Sequence, residues 1–139
     1  MTDAEYRVAK KRIEALIEKW ARPTGLRWWK IQYEYFRGPF PAYPGEVPNG
    51  RGDEPAADCK VRWQYGKAWI RFDVDALGPY TDKELEWVVV HEHMHVFLNE
   101  MREEGVDHEE RVASNLADAF IWLRESILPI SKIKKNGWG

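Results

Sequence analysis

A short stretch that contains three histidines, residues 88–98, constrains this chain more than any other part of its sequence. It reads VVVHEHMHVFL, so His91 and His95 are four positions apart and Glu92 follows the first of them. In an α-helix, residues four apart lie on one face, so both imidazoles can point at one metal ion. Apolar residues on either side place the histidines beside a core. The stretch therefore predicts a helix that offers two imidazole nitrogens to a metal.

The predicted histidine helix has recognisable ends, and a second helix follows it closely. Thr81 and Glu84 form a capping box at its start, and the helix is expected to cover about residues 81–103. The second helix is predicted over about residues 107–125, with Pro129 beyond its end. The close succession of these helices predicts that they lie side by side at the metal site.

A catalytic zinc site needs a third protein ligand, and the start of the second helix offers several candidates. They are Asp107, His108, Glu109 and Glu110. Small residues three and seven positions after Glu110 would let the two helices approach closely enough for its carboxylate to reach the metal, which favours Glu110. Helical periodicity instead aligns Glu109 with the buried stripe, and Glu110 also suits a capping box with Asp107. These alternatives stay open at this point.

The remaining elements predict an α+β fold. Residues 3–20 have the spacing of an amphipathic helix, whose buried stripe consists of Val8, Ile13, Leu16, Ile17 and Trp20. Residues 26–37 alternate as a strand, and residues 57–75 alternate as a β-hairpin around Gly66-Lys67. The expected sheet is small and mostly antiparallel, with about three strands.

The hairpin pattern also predicts a register. A two-residue turn at Gly66-Lys67 pairs Tyr65 with Ala68 and Cys59 with Val74, and it keeps the apolar residues on one face. On the other face the same register places Lys60 opposite Asp73 and Arg62 opposite Arg71. We expect that charged face to be solvated.

Length and composition favour one domain over residues 1–139. Residues 38–55 form a long loop rich in Pro and Gly, interpreted first as a surface insertion and alternatively as a flap or substrate-side wall that uses Phe40 and Tyr43. Residues 131–139 form a loose basic tail. The net charge of −2 gives no overall basic bias toward nucleic acid. Without an apolar leader, a membrane-spanning run or a second cysteine to pair with Cys59, the sequence predicts a cytoplasmic protein with no membrane partner.

On these residues the chain resembles the zincin metallopeptidases, in particular a minimal gluzincin-like form. In that group the third ligand is a Glu on the next helix followed by a small residue three positions on, as Ala113 follows Glu110 here. Residues 110–120 also resemble the ligand helix of ImmA/IrrE-type peptidases, although Ser114 stands where Asn is usual. SprT-like peptidases are a rival match, with His108 as third ligand but without their flanking glycines.

The resemblance implies a zinc ion held by His91, His95 and Glu110, and a zinc-bound water that Glu92 activates to hydrolyse peptide bonds. The expected partner is a protein or peptide substrate, held in extended form by an edge strand. Tyr80 or His93 could serve as a second electrophile, but the sequence specifies neither. Asn99 and Ser114 could be partners of the ligating imidazoles, and the simpler interpretation is that both are ordinary helix-surface residues.

Two alternative functions stay open on the sequence. A regulatory or DNA-associated peptidase is suggested by the Lys-rich tail and by Arg62 and Arg71, which would make nucleic acid a partner. A non-catalytic zincin scaffold would use the zinc structurally. That scaffold would require a coordination sphere closed by protein ligands.

Overall fold

The computed structural model describes residues 1–21, 23–24, 29–41, 55–62, 65–98 and 109–135. The elements, in chain order, are α1 (Asp3–Ala21), β1 (Lys30–Phe36), β2 (Ala57–Arg62), β3 (Lys67–Asp73), α2 (Val74–Leu77), α3 (Asp82–Phe97) and α4 (Glu109–Lys135). The predicted α+β class, with an N-terminal helix and a three-stranded sheet, is confirmed. In this part of the chain, every helix is too short or too polar to cross a membrane.

The sheet has the strand order β1-β3-β2, with β3 at its centre. β2 pairs with β3 antiparallel, as the predicted hairpin requires, whereas β1 pairs with β3 parallel. The sheet is therefore mixed, where a mostly antiparallel one was expected. Alternation within β1 shows that it is a strand but carries no information on its direction relative to a distant partner.

The register of the hairpin differs from the prediction. Cys59 lies opposite Ile70 instead of Val74, and Ala68 pairs with Val61 instead of Tyr65. The shift moves the pairing by four positions along β3. An even shift leaves each side chain on its face, so Cys59 and Ile70 are still buried together in the core.

The shifted register gives Arg71 an acidic neighbour. Arg71 lies opposite Asp58, not Arg62, and donates from Nε to Asp58 Oδ1 at 2.8 Å. Its guanidinium also lies over the ring of Phe40, 4.3 Å from the ring centroid. Only 4% of Arg71 is exposed, so the prediction of a solvated charged face is wrong at this position. Lys60 faces Trp69 where Asp73 was expected.

The helices differ from their predictions in three places, one in a buried face and two in a C-terminal end. Val8 is 61% exposed, and Ala9 takes its place in the buried stripe of α1. α3 ends at Phe97 instead of near residue 103. α4 continues through Pro129 to Lys135, which is ten residues beyond the predicted end and includes the first half of the expected loose tail. The N-cap role of Thr81 is confirmed, since Glu84 donates its backbone N–H to Thr81 Oγ1 at 3.2 Å, and the Glu84 carboxylate accepts from the Thr81 hydroxyl at 2.9 Å.

α3 lies between two apolar clusters. Its residues Val89 and Val96 join a large cluster formed with the sheet and α1. Val90 and Met94 join a second cluster with α4. Several predicted features fall outside the described residues, namely most of the 38–55 loop with Tyr43, Asn99, Asp107, His108 and residues 136–139.

Candidate metal centre

The first feature of the site is the buried group on α3 that the sequence predicted. His91, Glu92 and His95 each offer a ligand atom, and these atoms all lie within 4.8 Å of one another. All three residues are buried. Their convergence follows from helix geometry, because the spacing of four positions brings both imidazoles to the side of α3 that faces α4.

Glu110, in the first turn of α4, brings its carboxylate to both imidazoles. Its Oε2 lies 3.3 Å from His91 Nε2, and its Oε1 lies 3.0 Å from His95 Nε2. The Glu110 side chain is 75% exposed, whereas the two histidine side chains are buried. The site is thus enclosed on the α3 side and open to solvent beside Glu110.

Small residues on α4 make this approach possible. Ala113 and Ala117 are completely buried and contact Val90 and Met94 of α3. Short side chains at the crossing let the two helix backbones lie close together. The positions three and seven after Glu110 therefore have the packing role that the sequence indicated.

Glu109 contacts the same histidine from the other side. Its Oε1 lies 2.8 Å from His95 Nδ1, and Glu109 is buried. A carboxylate accepts at this distance, so Nδ1 of His95 donates, and the lone pair of Nε2 can then bind a cation beside Glu110. Glu109 and Glu110 were competing ligand candidates, and in the structure they face different nitrogens of one ring.

Trp87 supports the other imidazole, a contact that sequence reasoning missed. Its ring lies parallel to that of His91, at a centroid distance of 4.6 Å and an interplanar angle of 11°. The Trp87 indole donates to Asp118 of α4 at 2.9 Å. The available signal was its position, four residues before His91 on the same face of the helix.

The electrostatic environment of the site favours a cation. Burial alone would lower the pKa of His91, but the neighbouring carboxylates of Glu92 and Glu110 outweigh it and raise that pKa. His91 Nε2 is buried and has no hydrogen-bond partner among the described residues, although the Glu110 carboxylate lies 3.3 Å away. A buried nitrogen of this kind beside carboxylates fits a metal ligand.

His93, expected as a possible electrophile, is instead a core residue. It is completely buried, with Nδ1 2.6 Å from the carbonyl oxygen of Val89 and Nε2 2.8 Å from the Tyr33 hydroxyl. Burial lowers its pKa. Tyr80 precedes α3 and packs against the apolar cluster formed with the sheet and α1. Neither residue is therefore placed beside the imidazole pair.

The expected partners of the ligating imidazoles are also revised. Glu109 takes the supporting position on α4 that was considered for Ser114, since it accepts from Nδ1 of His95. Cys59 is a buried residue of the sheet cluster, which agrees with its reading as part of the core.

Comparison with known proteins gives no independent evidence on the function of this site. No family model, no curated protein and no solved structure matches the chain. The likeness to zincins therefore rests on the residues and contacts described above.

Proposed function

We propose that this protein is a zinc-dependent metallopeptidase, in which His91, His95 and Glu110 hold the metal and Glu92 is the general base. The observation that carries the proposal is the position of Glu110. One of its carboxylate oxygens lies 3.3 Å from His91 Nε2, and the other lies 3.0 Å from His95 Nε2. Two imidazoles and one carboxylate from adjacent helices form a ligand set typical of catalytic zinc. The orphaned Nε2 of His91 and the surrounding carboxylates fit the same ion.

The chemistry divides between the ion and the protein. Zinc, when bound, acts as a Lewis acid that makes water acidic and polarises a carbonyl group. The carboxylate of Glu92 is buried next to the ligands, where it can accept a proton from the attacking water. It would then deliver that proton to the amine that leaves as the peptide bond breaks. Glu109 keeps His95 in the tautomer that presents Nε2.

A non-catalytic scaffold is the second candidate, and one observation favours it. Glu92 has an oxygen within 4.8 Å of the histidine ligand atoms, so it could be a fourth ligand and close the coordination sphere. The two candidates give Glu92 different roles, as a base in the peptidase and as a ligand in the scaffold. The DNA-associated alternative is weaker, because Arg71 is buried against Asp58 and adds nothing to a basic surface.

Replacement of Glu92 by Gln distinguishes these roles. The peptidase proposal expects Glu92→Gln to retain zinc and to lose cleavage by roughly 100- to 10,000-fold, the usual contribution of a general base. Zinc per chain is measured by elemental analysis, and cleavage by mass spectrometry of a library of unfolded peptides with and without a chelator.

Glu84→Gln is the matched control for that experiment. It changes a glutamate on the same helix to a residue that still serves the capping box at Thr81. The control should retain both zinc and activity. A Glu92→Gln variant that cleaves at the wild-type rate contradicts the mechanism, and one that loses zinc identifies Glu92 as a structural ligand.

A further inference from the structure

A hydrogen-bonded pair, in which His93 is buried and Tyr33 is half-buried, connects the sheet to the helix that carries the candidate ligands. The hydroxyl of Tyr33, on β1, lies 2.8 Å from His93 Nε2. The other nitrogen of His93 lies 2.6 Å from the Val89 carbonyl, where only an N–H can satisfy the contact. A neutral His93 therefore accepts from Tyr33, and every polar atom of its side chain has a partner.

Helix geometry links this pair to the metal site. At about 100° per residue, His93 lies roughly 200° around α3 from both His91 and His95. Any rotation of α3 that moves His93 away from Tyr33 also moves both candidate ligands relative to Glu110. The Tyr33–His93 pair on one side of α3 and the candidate ligands on the other side are thus coupled, because the helix moves as a rigid body.

Apolar packing alone specifies that rotation poorly. α3 has apolar residues on both of its packed faces, with Val89 against the sheet cluster and Val90 against α4. Apolar contacts are non-directional and tolerate small displacements, whereas a fully satisfied buried hydrogen bond requires one distance and one direction. Directional contacts therefore help to select one rotation of α3. Trp87 donates to Asp118 and Glu86 accepts from Trp20, and the bond between Tyr33 and His93 joins α3 to the sheet.

We infer that Tyr33 and His93 are positioning residues, which set the rotation of α3 so that His91 and His95 meet Glu110 in ligand geometry. This inference rests on the proposed metal site. It assigns a role to two residues that are not among the proposed metal ligands.

β1 supplies a matched control for the test. Tyr33 and Tyr35 are two positions apart on one strand, and both rings stack on Phe72, at centroid distances of 6.5 and 5.8 Å. Tyr33 also contacts the ring of His93. Tyr33→Phe and Tyr35→Phe each remove one hydroxyl from similar surroundings, but only the first removes the hydrogen bond to α3.

The experiment measures zinc affinity by chelator competition and ligand geometry from the visible spectrum of the cobalt-substituted chain. Tyr33→Phe should weaken zinc binding about tenfold, the low end for residues beyond the direct ligands, and should change the cobalt spectrum. Tyr35→Phe should leave both unchanged. Thermal unfolding of the metal-free variants measures any general loss of stability separately.

His93→Gln adds a rescue test, because its side-chain oxygen can still accept from Tyr33. Its zinc affinity should exceed that of His93→Leu, which has no acceptor. Equal zinc affinity and equal spectra for Tyr33→Phe and Tyr35→Phe would overturn the inference while leaving the metal site standing. A wild-type chain that binds no zinc would instead refute the metal site, and this inference with it.

Discussion

The two faces of α3 hold histidines in opposite states of hydrogen bonding. On the face toward the sheet, both nitrogens of His93 have a partner, one in Tyr33 and one in the helix backbone. On the face toward α4, the Nε2 of His91 is buried with no hydrogen-bond partner in the described part of the chain. The two residues differ by two positions in sequence.

The difference shows that the partners, and not the residue type, decide what each imidazole can do. β1 provides the phenol of Tyr33, which donates to the neutral imidazole of His93. With both of its nitrogens hydrogen-bonded, that imidazole is part of the core. α4 provides the carboxylates of Glu109 and Glu110, which orient His95 and favour a cation at its Nε2. One helix therefore carries a structural face and a candidate reactive face.

Among changes on the face of α3 toward α4, removal of the Glu110 carboxylate should reduce zinc binding most. We expect Glu110→Ala to weaken zinc binding more than about 100-fold, beyond the range for residues that only support a ligand. Chelator competition measures the dissociation constant. Glu125→Ala, an exposed glutamate on the same helix, is the control and should bind zinc normally. Unchanged zinc affinity in Glu110→Ala would remove this residue from the site.

Glu109→Gln should have a smaller effect on the same side. The amide oxygen can still accept from His95 Nδ1, but the lost negative charge makes the imidazole a weaker ligand, which we expect to cost about tenfold in zinc affinity. The measurement is again chelator competition, beside Glu110→Ala. If the order is reversed, with Glu109→Gln the more damaging change, then Glu109 is the third ligand and Glu110 is the supporting residue.

The sequence predicted the reactive face better than the structural one. His91, Glu92 and His95 follow from a local pattern, because four-residue spacing on a helix fixes their relation without knowledge of the rest of the fold. The position of Glu110 depends on packing between helices. Small residues at Ala113 and Ala117 indicated that packing but could not exclude Glu109, since adjacent residues of a first turn can both face a neighbouring helix.

Long-range pairings were the features that local patterns could not supply. Period-two alternation is unchanged by an even shift, so it identified the buried face of the hairpin but placed Cys59 opposite the wrong residue. The role of His93 depends on Tyr33, which is sixty positions away in sequence. The burial of Arg71 depends on the corrected register, which brings Asp58 opposite it.

The smallest expected effect concerns the sheet side of α3, and it is the change in stability as the tyrosines of β1 ionise at alkaline pH. Burial raises the pKa of Tyr35 to about 12 and also raises that of Tyr33 above its ordinary value. In the unfolded chain tyrosines ionise near pH 10, so between about 10 and 12 the unfolded state loses protons that the folded state keeps. The free energy of unfolding should therefore fall as pH rises through that window. Urea unfolding at a series of pH values measures the slope, and Tyr35→Phe should make it shallower. A wild-type stability that stays level across the window would show that the β1 phenols are not held in their protonated form by the fold.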